Sequence, residues 1–305
     1  LPQTREVYSG LLISAGEESV ALSSVYDPAI LEYRLTSRLR RFSGGAPRVA
    51  VFAGSPDSGG GGRGFGGLMS RLQAVAEITE LPATGGELGS RVDAALVLRG
   101  EELGAQAVAA LGQYLDAGGV ALIAADRVPV DVRAGLEART SRGAPIWRLL
   151  EDYGVRAGEA LVADPRNHPL PVARMENDRR VQRWEAYPLW PLVTAERIAA
   201  GHPIGAGLRE LALMWASPLS TNGENDGFGV TRLLRASDRA TVMEPPFVTA
   251  PDALASSESA AQDGSAAQDE SAAQRDRAPT LALALASSGS DSASAGTLTT
   301  GGGEP

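Results

Sequence analysis

Carboxylates are the side chains of this sequence with the clearest chemical potential. Asp126 and Asp164 each follow a predicted strand, at the edge where open α/β sheets place their ligands. His168 lies four residues beyond Asp164, and an Asp/His pair can bind a metal or transfer a proton. No third partner is visible in the sequence. Capping of the following turn is the competing interpretation of Asp126, and the sequence favours it.

Aromatic residues form the second candidate group. Trp184, Tyr187 and Trp190 lie close together and are interspersed with prolines. Their rings combine apolar area with a polar atom, so they could line a site for a sugar or a peptide. Packing against the sheet is the favoured alternative for aromatic residues near prolines. Tyr187 and Trp190 are therefore kept as candidate binding residues.

A glycine-rich loop follows the strand predicted over residues 48–53. It begins at Gly54, and a formal G-x-G-x-x-G occurs at Gly62, Gly64 and Gly67. Such a loop could present backbone N–H groups to a phosphate. However, the loop is longer than a dinucleotide fingerprint needs, and its many glycines make the match nearly automatic. A surface loop is the favoured interpretation, a partner-binding loop is an alternative, and Gly54 remains a candidate ligand contact.

Composition excludes several classes of chemistry. The 305 residues contain no cysteine, and all 28 basic residues are arginine. This excludes thiolate metal sites, cysteine nucleophiles, a P-loop lysine and Schiff-base chemistry. Two histidines leave little room for a histidine-rich metal site, and a net charge of −9 argues against a nucleic-acid partner. We expect no catalytic residue, no metal and no cofactor.

Hydrophobic periodicity predicts the elements that position these residues. A hairpin opens the chain, and a helix follows Asp27-Pro28. The clearest unit is a strand over residues 94–98, a helix with an apolar seam from Leu103 to Leu115, and a strand over residues 120–125. Strand, short helix and strand imply parallel pairing with a right-handed connection. The sequence therefore predicts a doubly wound α/β architecture.

The pattern loosens beyond residue 126. Residues 174–183 are strongly polar and predict a surface excursion. TLALALA, over residues 280–286, alternates leucine with alanine and predicts a strand that returns to the sheet, with a stray apolar patch as the alternative. Further elements are a helix over residues 145–153 and strands over residues 159–163, 211–215 and 230–234.

The last fifty residues differ in composition from the rest. Residues 252–277 repeat the motif SAAQ and are too polar to bury a core. Residues 251–305 contain eight acidic residues and two arginines, a net charge of −6, so the remainder is only about −3. We predict an N-terminal hairpin and helix, an α/β core, a disordered insertion, a returning strand and a disordered tail over residues 1–46, 47–251, 252–278, 279–290 and 291–305.

No run approaches the roughly 18 apolar residues that would suggest a membrane span. The chain opens at Leu1, so we expect a processed product or a piece of a longer protein.

Nine segments, taken in order, resemble one protein family. They begin at Tyr8 and end at Ala240. Together they are similar to the extracytoplasmic region of the GldG-like, gliding-motility-type auxiliary subunits of ABC-2 transport systems, a domain type shared with an intraflagellar-transport protein. The resemblance covers about residues 6–290. The segments are YSGLLI, LEYRLTSRLRRF, RVAVFAG, AALVLRGEEL through QYLDAGGVALIAAD, YGVRAGEALVADPR, AYPLWPLV, GHPIGAGL, WASPL and LLRASDRA.

The resemblance implies an α/β, Rossmann-like, mostly parallel sheet with helices on both faces, akin to class I glutamine-amidotransferase-like folds. It implies no ATP hydrolysis and no amidotransferase chemistry, and it supplies no catalytic residues. The partners it implies are an ABC permease and an ATPase subunit, together with an exported substrate or an envelope component. The expected location is the periplasmic or extracytoplasmic face of the inner membrane, with anchoring helices that this sequence lacks.

Two further hypotheses stay open. One is a small-molecule-binding protein or hydrolytic enzyme that uses the carboxyl ends of the strands near Gly54, Asp126 and Asp164. The other is a scaffold that forms a homodimer through an exposed apolar face, which is compatible with a transport role.

Overall fold

The computed structural model describes residues 10–15, 18–23, 35, 45–53, 65–89, 91–176, 179–221, 228–254 and 278–287. The chain divides into two compact units, Leu1–Ala125 and Asp126–Pro305. The core predicted over residues 47–251 includes parts of both. The helix predicted after Asp27, apart from residue 35, lies outside the described residues, as do the loop from Gly54 and most of the predicted insertion and tail.

A four-stranded parallel sheet forms the centre of the first unit. The strand order is β4-β3-β5-β6, with α1 between β3 and β4 and α2 between β5 and β6. The predicted opening hairpin is also present, as β1 and β2. The elements are β1 Gly10–Ala15, β2 Glu18–Ser23, β3 Arg48–Ala53, α1 Gly66–Gln73, β4 Glu77–Leu81, β5 Ala94–Leu98, α2 Ala105–Asp116 and β6 Ala121–Ala124.

Burial along the central strand explains its position. Ala50, Val51 and Phe52 follow one another in β3, and each is at most 1% exposed. Because successive side chains of a strand point to opposite faces, both faces of the sheet are covered here. Val51 packs with Met69 of α1 and Leu98 of β5 in one apolar cluster. The predicted mixed α/β fold with a parallel sheet is confirmed for this unit.

The second unit is built differently, because every ladder among its described strands is antiparallel. Its largest sheet has the order β16-β18-β15-β9. The elements are β7 Val130–Asp131, β8 Glu137–Ala138, α3 Ile146–Asp152, β9 Val155–Ala157, β10 Leu161–Ala163, β11 Leu170–Glu176, β12 Arg179–Glu185, β13 Leu192–Thr194, β14 Glu210–Ala212, β15 Leu219–Thr221, β16 Phe228–Arg235, β17 Thr241–Met243 and β18 Thr280–Ser287.

The segment TLALALA forms the predicted strand, as β18. It pairs antiparallel with β16 and β15 of the second unit, whereas its expected partner was the parallel sheet. The alternation of leucine and alanine specifies an extended strand with two unlike faces. The alternation does not specify which strands pair with β18. The strand itself could therefore be predicted, but its partners could not.

Two apolar clusters hold the second unit together, and β10 contributes to both. Leu161 packs with Tyr187, Leu189 and Trp190 on one side. Val162, the next residue, belongs to the other cluster, which includes Leu233, Leu234 and Leu281. Adjacent residues of a strand face opposite ways, so β10 is the shared wall between the clusters.

Within the described residues, no helix combines the length and the apolar character that a membrane crossing requires.

Candidate functional site

Asp164 occupies the turn that follows β10, and its side chain is only 1% exposed. Its Oδ1 accepts hydrogen bonds from Arg166 N at 2.8 Å and Ser237 Oγ at 2.6 Å. Its Oδ2 accepts a hydrogen bond from Ser237 N at 2.6 Å. A buried carboxylate is stable only when such donors surround it. These bonds fasten the turn after β10 to the turn after β16.

The same turn lies against the aromatic segment. Asp164 N donates to Pro188 O at 2.9 Å, and Tyr187 N donates to Asn167 Oδ1 at 2.8 Å. His168 N donates to Trp190 O at 2.9 Å. Three of the candidate residues, Asp164, Tyr187 and Trp190, are therefore brought together by one set of backbone contacts.

The remaining candidates are placed elsewhere. Asp126 is exposed at the start of the second unit, and its carbonyl oxygen accepts a hydrogen bond from Ser141 Oγ at 3.0 Å. Gly54 lies outside the described residues. A shared site at the carboxyl ends of the strands therefore stays a prediction for these two residues.

Tyr187 is fully buried and connects three segments of the second unit. Its hydroxyl donates to Thr249 O at 2.7 Å and accepts from Trp215 Nε1 at 3.1 Å. Burial raises the pKa of the Tyr187 phenol, and the hydrogen bond from Trp215 offsets part of that rise. A neutral phenol whose hydroxyl makes two hydrogen bonds is suited to stabilising the fold rather than to transferring protons.

Four rings extend from Tyr187 toward the surface. Trp190 makes edge-to-face contacts with Tyr187 and Trp215, at centroid distances of 5.6 and 5.5 Å. His168 lies 6.2 Å from Trp190 and 6.4 Å from Trp184. Such offset geometries are favourable beyond the area that they bury. Trp184 is 63% exposed, so the row of rings runs from the core to solvent.

The polar segment predicted as a surface excursion is a regular hairpin made of β11 and β12. The two strands pair only with each other among the described residues, so each has an open edge. Trp184 and Met175 lie on the same face and are 63% and 70% exposed. Arg180 pairs opposite Met175 on that face, and no acidic residue shares it. The face consists of Pro171, Ala173, Met175, Arg180, Gln182 and Trp184.

The other face of the hairpin carries its ion pairs. Arg174 donates to both carboxylate oxygens of Glu185 at 2.7 Å, and its Nη1 lies 2.5 Å from Asp252 Oδ1. The hydrogen bond from Arg174 lowers the pKa of the Glu185 carboxyl below its ordinary value. On this face Arg174 is matched by Glu185 and Asp252, whereas the face with Trp184 and Met175 presents apolar groups beside an arginine.

The carboxyl ends of the parallel strands form the remaining candidate edge, in the first unit. The strand order places β3 beside β5, and the connections leave these two strands in opposite directions, which makes a topological switch point. Arg99, after β5, has a left-handed backbone with φ of 59°. Its Nη2 lies 2.6 Å from Glu102 Oε1. Across the described part of the chain, no three His, Asp or Glu side chains are grouped as a metal site would require.

An open groove of roughly 700 Å³ lies in the second unit, between residues 134–140 and residues 245–253. The side chains of Glu137 and Arg139 pair there at 2.8 Å, and Thr249 Oγ1 donates to Leu136 O. Apart from Thr140, the remaining residues of the lining are apolar. The groove contains no acid/base pair for catalysis.

The aromatic candidates Tyr187 and Trp190 are buried, and sequence reasoning missed the exposed face of the hairpin. Met175 and Arg180 were part of a segment predicted only as surface. The alternation of Val172, Arg174 and Glu176 with Ala173 and Met175 was the available signal, but both sets are mixed in polarity. A strand with two exposed faces lacks the apolar-in, polar-out pattern on which strand prediction depends.

Comparison with known protein families shows which family the chain belongs to. Residues 46–291 match a family model that is described as ABC-type uncharacterized transport system. The short name of that family denotes an auxiliary component of ABC transport. The match covers most of the chain and includes both compact units. No curated protein matches the sequence.

Proposed function

The chain belongs to this family of auxiliary components of ABC-type transport systems, and from that premise we propose that it is a non-catalytic, partner-binding component. Support for a binding role comes from the polar groups of the second unit. The buried carboxylate of Asp164 and the buried phenol of Tyr187 are engaged by donors and acceptors of the chain itself. Groups held in this way position surfaces and do not transfer protons to a substrate.

The finer assignment that we propose is the extracytoplasmic domain of a GldG-like subunit, at the periplasmic face of the inner membrane. Its partners would be the permease and the ATPase of the same transport system. The strand order β4-β3-β5-β6 supports a Rossmann-like fold, akin to class I amidotransferase-like domains, because that order is shared with flavodoxin-like sheets.

The single observation that carries the binding role is the hairpin face that contains Met175 and Trp184. This face exposes two large apolar side chains, Met175 near the turn and Trp184 near the base of the hairpin, with Arg180 opposite Met175. Tryptophan and arginine are also the residues that contribute most to protein interfaces. We place the partner contact on this face.

The occupant that we propose for the hairpin is an acidic, extended protein segment of the permease. Arg179, Arg180 and Arg183 are all exposed on β12, and the one acidic residue of that strand, Glu185, is paired with Arg174. The open edge of β12 offers backbone donors and acceptors to an added strand. Charge complementarity would select an acidic strand and exclude a basic one.

The proposal is tested by co-purification of the full chain with the permease and ATPase of its transport system. Met175→Asp should reduce recovery of the permease by at least about tenfold, because it buries a carboxylate in the contact and repels an acidic partner. Met214→Asp is the matched control, since Met214 is also an exposed methionine of the second unit, at 56%. Equal recovery with the two variants would refute the hairpin contact.

Two alternatives have their own measurements. Light scattering of the full chain would reveal a homodimer, and loss of that dimer in Met175→Asp would assign the hairpin face to a second copy. A small-molecule-binding protein or hydrolytic enzyme would instead be stabilised by nucleotides, sugars or peptidoglycan fragments in a thermal-shift screen.

A further inference from the structure

A small cleft in the second unit is lined by arginines. Its walls are residues 196–200 together with Arg232 and Arg235, around a volume of roughly 360 Å³. Residues 195–200 run alongside β16: Ala199 N donates to Leu233 O at 2.8 Å, and Ile198 forms an isolated bridge with Leu234. The cleft is therefore held by backbone contacts on both sides.

An irregularity in β16 brings the two arginines into the same cleft. Residues three apart on a regular strand point to opposite faces. Along the ladder with β18, however, the register shifts between Arg232 and Leu234 and again between Leu234 and Arg235. Such bulges turn a side chain toward a new direction. Leu233 and Leu234 are consecutive and both buried, at 7% and 8% exposure, as expected where the alternation is broken.

The third arginine of the cleft is held rigidly. Arg197 Nη1 donates to Asp238 Oδ1 at 2.7 Å, and Arg197 Nη2 donates to Asp238 Oδ2. This two-point contact fixes the plane of the guanidinium group. Arg235, by contrast, is half-buried and forms no ion pair with any residue that the structure describes. A half-buried guanidinium beside a fixed one provides donors for an anion that enters from solvent.

The charge of the lining indicates which anion fits. Arg197, Arg232, Arg235 and Glu196 line the cleft, and Asp238 and Arg166 pair with Arg197 and Glu196, so these six residues carry a formal net charge of +2. Glu196 is itself engaged outside the cleft lining, by Arg166 Nη1 at 2.6 Å. A dianionic phosphate matches two charges better than a single carboxylate does, and the fork of arginine suits its oxygens.

We propose that this cleft binds the phosphate monoester group of a small ligand, with Arg235 as the principal contact and Arg197 as a fixed second donor. The volume is at the lower end of the range for ligand pockets, about 300–1,000 Å³, and suits a phosphorylated headgroup or sugar. The inference rests on the cleft alone and does not depend on the contact proposed for the hairpin.

The test is isothermal titration calorimetry, which measures the affinity of the full chain for inorganic phosphate and for glycerol 3-phosphate at an ionic strength fixed with sodium chloride. Arg235→Gln should weaken binding by about tenfold or more, because a charge-assisted hydrogen bond is lost. Arg235→Lys keeps the charge without the fork and should fall between that variant and the parent chain. Arg209→Gln is the control, since Arg209 is exposed and lies outside the lining.

Vesicles separate the two sources of the phosphate group. Binding to phosphatidic acid in phosphatidylcholine that depends on Arg235 would identify a lipid headgroup. Binding only to the two soluble probes, with the same dependence, would identify a soluble ligand. The proposal is overturned if neither probe nor vesicle binds saturably, or if Arg235→Gln and Arg209→Gln weaken binding equally while both retain the circular dichroism of the parent chain.

Discussion

The two units of this chain are stabilised in different ways. The first has a parallel sheet whose central strand, β3, is buried on both faces by apolar side chains. The second has two apolar clusters as well, but its short antiparallel ladders are also joined by buried polar contacts, such as those of Asp164 and Tyr187. Apolar burial tolerates variation in detail, whereas a polar network depends on each partner. The second unit therefore has more precisely positioned groups, and both proposed binding features lie in it.

Loss of Phe52 should have the largest effect on stability. Phe52→Ala removes a ring that is fully buried in β3, and such truncations cost about 3–5 kcal/mol. Hydrogen exchange measured by mass spectrometry should show faster exchange in residues 48–124 and little change in the second unit. Leu122→Ala, at a position 52% exposed in the same sheet, should cost less than about 1 kcal/mol. Equal acceleration in both units would show that they do not unfold separately.

Asp164→Asn should have the next largest effect on stability, and that effect should be confined to the second unit. The amide would place an N–H group among three donors and lose bonds to a charged acceptor, at a cost of about 2–3 kcal/mol. Exchange should accelerate around residues 161–168 and 234–238. Asp152→Asn, an exposed acidic residue of the same unit, serves as control and should stay within about 0.5 kcal/mol. An unchanged exchange rate in Asp164→Asn would contradict a structural role for that carboxylate.

Removal of one tyrosine hydroxyl from each unit compares how much a single polar contact stabilises the two units. Tyr187→Phe leaves Thr249 O and Trp215 Nε1 without their partner and should cost about 1–3 kcal/mol. Tyr114→Phe makes the same change in the first unit, where the hydroxyl has only long contacts of 3.3–3.4 Å. Its cost in thermal unfolding should be smaller. A larger loss in Tyr114→Phe would reverse the comparison.

The smallest effect concerns Glu196 and appears as a dependence on pH. Hydrogen bonds from Thr194 and from Arg166 lower the pKa of Glu196 from 4.5 to about 2. The ionised form is therefore favoured in the folded chain, and this stabilisation is present above pH 4.5 and disappears as the pH falls to about 2. The difference in melting temperature between the parent chain and Glu196→Gln should shrink over that range. Glu210→Gln, at an exposed position, should show no such trend.

The sequence predicted elements in both units, but the strand pairing only in the first, for a physical reason. Strand β3 and helix α2 are specified by patterns within a few residues, and their bounds were nearly correct. The ladder of β16 with β18 joins segments about fifty residues apart, and no local pattern selects that partner. The bulge that turns Arg232 and Arg235 into one cleft depends on that ladder, so the cleft could not be predicted either.

The candidate residues divide in the same way. Tyr187 and Trp190 were singled out because aromatic residues are conspicuous in a sequence, and Asp164 because it follows a strand; a ligand-binding role for them stays a prediction. Their contacts were not predictable, since Thr249 and Ser237 lie more than sixty residues away along the chain. Gly54 and Asp126 remain candidates from the sequence alone.

Single-cysteine labelling tests the central claim, that the hairpin face of the second unit is the docking surface. The chain has no cysteine, so Met175→Cys and Met214→Cys each introduce one thiol. Both full-length variants would be exposed to a maleimide, with and without the co-expressed permease and ATPase. The account predicts that the transport system protects position 175 and leaves position 214 reactive. Equal labelling of position 175 in a purified complex that contains the permease would contradict it.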